Sequence, residues 1–326
     1  MRKSGRHEEG KTLSRRETGS GFPAFLGRRR IPFCGLAMNL LRLCLLVGLF
    51  LIRCSLQTCA AADGPPFFIE GYAGTLSVEP GESVPFHVST SAGTFAVEVL
   101  RLGATNETVW RKDDVPGAAH RVPDNASSAG CGWPVSFEVP VPAEWRSGYY
   151  VARFRIADHG GAWTHRGRRT AESEAWFVVR SGRPGQDTRI LLQLSANTYN
   201  AYNNWGGFSV YAYHGRDGNQ GHRVSTHRPG GSQFANWEQP FILWAERNGY
   251  RLDYAINNDL EFRPDLLRHY RLVLSVGHDE YWSGPMRDTL ERFITNRGNV
   301  AFFSGNAVCW QIRNEDNGRA FTCWKQ

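Results

Sequence analysis

The stretch that decides the fold is Arg271 to Ser283, which reads RLVLSVGHDEYWS. It begins with an uncharged apolar run, Leu272 to Val276, which is typical of a strand buried on both of its faces. Gly277 ends this run, and ionisable and aromatic residues follow it directly. Open α/β sheets build their sites at the carboxyl ends of buried strands, so the pattern predicts a functional site after Gly277.

The order of the residues after Gly277 predicts which of them converge. In an extended backbone, residues two apart face the same way, which directs His278 and Glu280 to one point and Asp279 away from it. An imidazole nitrogen and a carboxylate oxygen aimed at one point suit iron, zinc or manganese. The alternative is that both side chains simply hydrogen-bond to neighbouring loops.

Strands alternate with helices on both sides of this stretch. Predicted strands cover 189–194, 251–256, 272–276 and 299–303, and predicted helices cover 237–248 and 285–296. Such alternation indicates parallel crossovers and a doubly wound α/β sheet. The loops that begin at Ser195, Gly277 and Ser304 are then expected at one edge of the sheet.

The region before this one has a different hydrophobic pattern. Residues 63–182 contain short alternating runs separated by Gly and Pro, which predicts an immunoglobulin-like β-sandwich ahead of an α/β domain at 188–326. The sandwich is rich in tryptophan, and such rings either line a sugar-binding face or, more commonly, fill the core. They are Trp110, Trp133, Trp145, Trp163 and Trp176.

The charge of the chain is concentrated at its front. The 326 residues carry a net charge of +7. Residues 1–62 contain 11 Lys and Arg against 3 Asp and Glu, a balance of +8, so the remaining residues carry −1. Because the body of the protein lacks a basic footprint, the sequence excludes nucleic acid as the expected partner.

The front itself has the pattern of a secretion signal. Arg42 precedes an apolar core from Leu43 to Ile52, and small residues end at Ala62, the predicted cleavage point. Met38 is the predicted true start, and residues 1–62 are treated as leader and signal peptide. The apolar core is short for a membrane span, so we expect an exported protein, periplasmic or extracellular, with no stable span after cleavage.

The sequence lacks the motifs that position a serine or cysteine nucleophile in an enzyme. There is no Gly-x-Ser-x-Gly elbow, and Cys309 follows a predicted strand without the tight turn that such a nucleophile needs. Beyond the leader the cysteines are Cys131, Cys309 and Cys323, so at most one internal disulfide forms. No Gly-rich phosphate loop opens a helix.

Three motifs resemble those of a known family, the large subunit of N,N-dimethylformamidase and its relatives. They are NTYNAYNNWGG from Asn197, GHDEYWS from Gly277 and SGNAVCWQIR from Ser304. The resemblance covers the chain from about Thr188 onward. It implies a glutamine-amidotransferase-like or flavodoxin-like α/β domain that has lost its cysteine nucleophile.

The resemblance also implies a site with a single iron ion, Fe³⁺, held by tyrosine, histidine and glutamate. Matched motif by motif, the ligands are His278, Glu280 and Tyr199, with Tyr202 as the alternative tyrosine. Asn306 matches an asparagine beside the metal. Phenolate, carboxylate and imidazole form a hard ligand set that suits ferric iron better than zinc.

Two functions from different classes follow as hypotheses. The first is an exported iron amidohydrolase acting on a small amide, either as a homo-oligomer or with a small partner subunit. The second is a non-catalytic protein that binds carbohydrate or a cell-surface polymer through the sandwich and the Trp-rich loop. The resemblance leads us to expect further sheet after Gln326, so the chain reads as part of a longer reading frame.

Overall fold

The computed structural model describes residues 67–158 and 169–325. The predicted leader 1–62, with Met38 and the cleavage point at Ala62, lies outside these residues, and so does Trp163. Within the described residues, no helix is long and apolar enough to cross a membrane.

Two sheets near the front of the described chain pack face to face as a sandwich. Their strands are β1 (Ile69–Ala73), β2 (Ser77–Val78), β3 (Ser83–Thr90), β4 (Thr94–Leu102), β5 (Glu107–Pro116), β6 (Phe137–Pro140), β7 (Gly148–Asp158) and β8 (Arg169–Val179), with helix α1 (Ala126–Ala129) between β5 and β6. One sheet has the order β1-β3-β6, and the other has the order β2-β8-β7-β4-β5. Neighbouring strands are antiparallel, except that β2 runs parallel to β8.

Alternating apolar residues hold the sandwich together. Val97 and Val99 of β4 share one buried core with Phe86 and Val88 of β3, in the facing sheet. Burying each such side chain contributes roughly 1.5–3 kcal/mol relative to leaving it exposed. A period of two therefore gives each sheet one apolar face and one face that is free for other contacts.

The rest of the chain adds strands and helices in alternation. In chain order they are β9 (Ile190–Leu194), α2 (Ala196–Tyr202), β10 (Arg223–Ser225), α3 (Glu238–Arg247), β11 (Asp253–Ile256), α4 (Asn257–Phe262), β12 (Leu272–His278), β13 (Tyr281–Ser283), α5 (Gly284–Thr295), β14 (Asn299–Gly305), β15 (Trp310–Glu315) and β16 (Ala320–Thr322). Turns of 3-10 helix cover Ala212–His214, Arg216–Gly218, Leu266–His269 and Asp316–Gly318.

Four of these strands form a parallel sheet in the order β11-β9-β12-β14. On one face, Leu192 and Leu274 share a buried core with α3 and with strands β7 and β8 of the sandwich. On the other face, Leu191 and Val273 pack with α4 and α5. The two central strands are therefore covered on both sides, as their continuous apolar sequences predict.

A second small sheet lies at the carboxyl end of the parallel one. It has the order β10-β16-β15-β13, in which β13 and β15 run parallel and the other pairs are antiparallel. Tyr281, Ile312 and Phe321 are buried together beneath it. Its strand β13 begins three residues after β12 ends, so the mixed sheet holds the backbone that follows the strand-end histidine.

The predicted fold class, a doubly wound glutamine-amidotransferase-like or flavodoxin-like α/β sheet behind an immunoglobulin-like sandwich, is wrong for this chain. In the described residues, strands hold more of the chain than helices do, two of the four sheets are mixed, and the helices are short. The physical reason is that the chain after β12 and β14 continues into further strands, which pair with one another across the sheet end. The sandwich also covers much of the face where a doubly wound sheet would place a helical layer.

Buried contacts link the sandwich to the parallel sheet. Arg180, which follows β8, lies 3.3 Å from Asp259 of α4, and both side chains are 2 % exposed. Arg101 of β4 lies 2.6 Å from Glu246 of α3. These ion pairs cross the predicted boundary between 63–182 and 188–326, and the domain limits themselves stay a prediction.

Candidate functional site

The candidate site begins where β12 ends. Gly277 has a φ of +94°, and a Cβ there would lie 2.3 Å from the Cβ of Trp237. Only glycine tolerates both the left-handed backbone and this close approach. The glycine therefore lets α3 begin directly beside the strand end, and Trp237 stands next to His278 with ring centroids 6.4 Å apart.

His278 and Glu280 converge as their spacing predicts. His278 Nε2 lies 3.3 Å from Glu280 Oε2, with the side chains 16 % and 5 % exposed. Asp279 faces the opposite way and is fully buried. Its carboxylate accepts hydrogen bonds from Ser275 Oγ at 2.7 Å and Asn257 Nδ2 at 3.0 Å. Burial raises the pKa of Asp279, and these donors partly offset that rise.

Two tyrosines contact the same carboxylate oxygen, and a third tyrosine contacts one of them. The Tyr202 hydroxyl lies 3.1 Å from Glu280 Oε2, and the Tyr211 hydroxyl lies 2.8 Å from it. Tyr211 is also 2.8 Å from the Tyr202 hydroxyl and 2.7 Å from that of Tyr281. We call Tyr202, Tyr211, Tyr281, His278 and Glu280 the Glu280 cluster.

Tyr199 lies in a different environment from the Glu280 cluster. Its hydroxyl donates to Glu238, and its ring packs edge-on against Trp176. Both Tyr199 and Glu238 are buried, and burial raises the pKa of Glu238 to about 7. Of the two tyrosines predicted as ligands, the structure therefore brings Tyr202, not Tyr199, to His278 and Glu280.

Asn306 reaches the Glu280 cluster from the loop after β14. Its Nδ2 lies 3.3 Å from His278 Nε2. The backbone here is left-handed, with a φ of +50°, which asparagine tolerates better than most residues. The same loop is bonded to the strand end, since the Trp310 amide donates to the Glu280 carbonyl at 2.8 Å.

The electrostatics of the Glu280 cluster favour neutral phenols while no cation is bound. Burial raises the pKa of Tyr202 to about 12 and raises the pKa values of Tyr211 and Tyr281 further. Lys325 lies on the outer side, with Nζ 3.4 Å from the centre of the Tyr211 ring, and burial lowers its pKa. Ionising one of these phenols therefore requires additional positive charge close to the hydroxyls.

The donor set fits a hard metal ion. Among the described residues, no three His, Cys, Asp or Glu side chains lie close enough together to hold a metal, so a tyrosine oxygen must complete any set. The Tyr202 hydroxyl and His278 Nε2 lie 3.1 and 3.3 Å from Glu280 Oε2, so one phenol, one imidazole nitrogen and one carboxylate are brought together. This combination matches the preferences of ferric iron.

A buried arginine anchors the loop that follows Tyr202 at the end of α2. The Arg228 guanidinium donates to the carbonyls of Ser225 at 2.9 Å, Phe208 at 3.1 Å and Asn203 at 2.9 Å, and it also bonds Trp205. Burial lowers the pKa of Arg228 to about 10. No carboxylate pairs with this guanidinium in the described part of the chain, so its contribution is to order the loop backbone.

Several of these residues were not predicted from the sequence. Tyr281 directly follows Glu280 in the quoted motif but was given no role, and Tyr211, Arg228 and Lys325 have no recognisable spacing relative to His278 and Glu280. The only signal is compositional, since Tyr211 lies within a long loop that is unusually rich in aromatic residues.

The sandwich tryptophans pack rather than form a row of exposed rings. Trp110 stacks on Phe137, Trp145 on Tyr150 and Trp176 on Tyr149, with centroids 5.1–6.0 Å apart. Trp133 is 4 % exposed. Among the described residues these four rings thus serve the core and its edges, which weakens the carbohydrate-binding hypothesis.

Comparisons with known proteins agree with the motifs. The family model for "N,N-dimethylformamidase beta subunit-like, C-terminal" matches residues 96–326. An N,N-dimethylformamidase beta subunit from Paracoccus aminophilus is 24% identical over 231 residues, covering 56% of this chain and 28% of that protein. One from Alcaligenes sp is 23% identical over 230 residues, with the same coverage.

Overlap with these relatives is partial, and structural similarity is weak. The chain spans about 28% of the length of the curated relatives it matches. A glycoside hydrolase family 61 member from Hypocrea jecorina matches with 14% identity over 33% of this chain and 52% of that one, at a TM-score of 0.20, which carries no argument. The family match covers well over half of this chain, and the predicted resemblance is confirmed. The chain belongs to the N,N-dimethylformamidase beta subunit-like family, in its C-terminal region.

Proposed function

We propose that this protein is an iron-dependent amidohydrolase that hydrolyses a small amide or a related C–N bond. The observation that carries the proposal is the convergence of the Tyr202 hydroxyl and His278 Nε2 on Glu280 Oε2, at 3.1 and 3.3 Å. The two relatives named as N,N-dimethylformamidase subunits support the class of reaction. Zinc is the less favoured metal because the set includes a phenol.

The residues that would hold the iron are Tyr202, His278 and Glu280. When bound, iron supplies Lewis acidity, which polarises a carbonyl and lowers the pKa of water. Tyr211 hydrogen-bonds to the cluster oxygens and so fixes the orientation of Tyr202 and Glu280. Tyr199, the first choice from the motif alone, is instead assigned to packing against Glu238.

The reaction that these residues would serve is a simple hydrolysis. Water adds to the carbonyl carbon, the C–N bond breaks, and the amine leaves with a proton, which gives a carboxylic acid and an amine. Asn306 Nδ2 stands beside His278 and would donate a hydrogen bond to the carbonyl oxygen as negative charge develops there. The half-exposed ring of Trp237 would form an apolar wall for the groups carried by the amide nitrogen.

Metal analysis tests the proposal directly. Protein purified without chelators is expected to contain close to one iron per chain and a tyrosinate-to-iron absorption band. His278→Ala should lose the iron. Tyr202→Phe should lose the band, whereas the matched control Tyr199→Phe, from the same helix, should keep it. Folded protein without iron or zinc would overturn the proposal. A band that is kept in Tyr202→Phe but lost in Tyr199→Phe would make Tyr199 the ligand.

A substrate screen tests the reaction class. Formamides, short amides and cyclic amides are the appropriate panel for iron-loaded protein, with release of the amine as the readout. Asn306→Ala should retain iron and slow turnover by about 10²-fold, as expected for a lost donor to the developing oxyanion. Iron-loaded protein that hydrolyses no member of the panel would contradict the amidohydrolase assignment.

Export and assembly are further parts of the proposal. The leader pattern up to Ala62 supports export, and sequencing the amino terminus of secreted protein tests it. Both curated relatives are named as beta subunits, which supports a partner subunit or an oligomer for this chain. Light scattering on the purified protein, alone and after co-expression with neighbouring open reading frames, distinguishes these assemblies.

A further inference from the structure

Five arginines line a single cavity at the end of the parallel sheet opposite to the Glu280 cluster. The cavity has a volume of ≈ 520 Å³. Its arginines are Arg189, Arg268, Arg271, Arg292 and Arg297. Strand β12, which runs from this end to His278, has seven residues, so the two ends are separated by about 20 Å at ~3.3 Å per residue.

The parallel sheet collects these side chains. Arg189 and Arg271 directly precede the neighbouring strands β9 and β12, and the Arg271 amide donates to the Arg189 carbonyl at 2.9 Å. The Asn299 amide at the start of β14 donates to the Arg271 carbonyl at 2.9 Å, and Arg297 lies two residues earlier. Because parallel strands begin at the same edge, the residues that precede them lie side by side.

The guanidinium groups have little negative charge around them. In the described chain, Arg189, Arg271 and Arg297 have no ion-pair or side-chain hydrogen-bond partner. Arg268 reaches Asp265 only at 4.0 Å, and that carboxylate is 85 % exposed. Asp265 is also the one carboxylate among the residues that line the cavity, so the lining carries a net charge of +4.

The floor of the cavity is ordered and partly apolar. Leu267, Tyr270, Thr289 and Phe293 line it and are buried. Cavities that bind small molecules have volumes of about 300–1,000 Å³, with apolar walls and a few polar groups that fix orientation. The concave shape therefore favours a compact ligand over a polymer lying on a flat surface.

We infer that this cavity binds a compact anion bearing two or more phosphate or carboxylate groups. The planar guanidinium fork matches both of these groups, and it keeps its charge at every physiological pH. Several arginines from separate elements would surround such an anion, with the buried floor supporting its uncharged part. The site is separate from the amide-hydrolysing site and does not depend on metal.

Calorimetric titration of the full chain with pyrophosphate and with citrate tests the inference. At about 50 mM salt we expect one saturable site per chain, with a Kd below about 1 mM. Arg271→Gln should weaken binding by about 10- to 100-fold, which is the range for one lost charge-assisted hydrogen bond. Arg292→Gln, on a different element, provides the second test. Tighter binding of pyrophosphate identifies a phosphate ligand, and tighter binding of citrate identifies a carboxylate ligand.

Two control variants separate this cavity from other cationic regions. Arg247→Gln removes an exposed arginine of α3 that has no ion pair among the described residues, and it should leave the Kd unchanged. Glu280→Ala alters the opposite end of the sheet and should also leave it unchanged. The inference is overturned if neither anion saturates below about 1 mM, if Arg247→Gln weakens binding as much as Arg271→Gln, or if Glu280→Ala abolishes it.

Discussion

Two buried glutamates contact different tyrosines of helix α2, and their surroundings differ. Glu280 has Tyr202 and Tyr211 within 3.1 Å of one oxygen, and it lies beside His278, whose side chain is 16 % exposed. Glu238 has one phenol, Tyr199, and its other oxygen has no hydrogen-bond partner in the described chain. The same two residue types thus make a polar cluster in one place and fill a core in the other.

The difference shows what distinguishes a candidate site from a structural pair. At Glu280, two phenol hydroxyls and an imidazole nitrogen converge on one carboxylate oxygen. At Glu238, desolvation dominates, and the raised pKa of about 7 indicates a carboxyl group that is partly protonated near neutral pH. Convergence of donors, and not the presence of a Glu–Tyr contact, is the property that identifies the site.

The largest expected effect comes from neutralising one glutamate at a time. Loss of a residue that hydrogen-bonds to a metal ligand lowers metal affinity by about 10- to 100-fold. Glu280→Gln removes a proposed ligand itself, so we expect a larger loss of iron affinity. Glu238→Gln should leave iron affinity within a few-fold of the parent. Competition with a chelator of known affinity measures both, and equal losses in the two variants would remove the distinction between them.

Removing Arg228, which anchors the loop after Tyr202, should have the next largest effect. Arg228→Met leaves the buried carbonyls of Asn203, Trp205 and Phe208 without their donor, so we expect a loss of about 3–5 kcal/mol in the free energy of unfolding. Urea denaturation measures it. The control Arg216→Met, on an exposed arginine of the same loop, should cost about 0.5 kcal/mol or less, and comparable losses would argue against an anchoring role.

Glu238 is expected to make the free energy of unfolding depend on pH. The pKa of Glu238 rises from 4.5 to about 7 on folding, so the native state binds more protons than the unfolded state between these values. The contribution of this group to stability is therefore fully present below about pH 4.5 and declines as pH rises to about 7, by at most about 3 kcal/mol.

Denaturation at several pH values tests this sign. The free energy of unfolding of the parent minus that of Glu238→Gln should fall as pH increases from about 4.5 to about 7, and it should then stay constant. The Tyr199 phenol remains protonated across this window because its pKa is raised well above 10.0. Parallel stability curves for the two proteins would show that Glu238 does not titrate in this range.

The smallest effect is expected for a phenol at the edge of the Glu280 cluster. Tyr211→Phe removes a hydroxyl within 2.8 Å of both Tyr202 and Glu280, at a cost of about 1 kcal/mol in stability. In iron-loaded protein, the charge-transfer band should shift to longer wavelength because the Tyr202 oxygen loses a stabilising donor. Tyr213→Phe, on a neighbouring side chain that is 70% exposed, should leave the band unmoved, and an identical shift there would contradict the role of Tyr211.

Part of the site could be predicted from the sequence because it depends on local geometry. The alternation of an extended backbone placed His278 and Glu280 together and Asp279 apart, as the structure has them. The choice between Tyr199 and Tyr202 could not be made in this way because the segment read as a loop. It is helix α2, where residues three apart point about 60° away from each other, so one tyrosine meets Glu238 and the other meets Glu280.

The fold was predicted in its local elements and missed in its assembly. The predicted strand 251–256 and helix 285–296 correspond to β11 and α5 within a few residues. The mixed sheet was missed because β10, β13 and β16 have three residues each, too few to show a period. Their pairing also joins distant positions, such as Arg223 with Thr322, and nothing local in the sequence specifies such a partner.

The backbone bonds at the strand end have an evolutionary consequence. The Trp310 amide donates to the Glu280 carbonyl at 2.8 Å, and the Val308 amide donates to that of Asp279 at 3.0 Å, so main-chain groups hold the strand end that carries the Glu280 cluster. The exposed side chains around its mouth, among them Tyr213 and Trp237, take no part in these bonds. Mutations at these exposed positions leave the main-chain bonds intact, so under the proposed function we expect descendants of one ancestral protein to diverge in substrate while the Glu280 cluster keeps its shape.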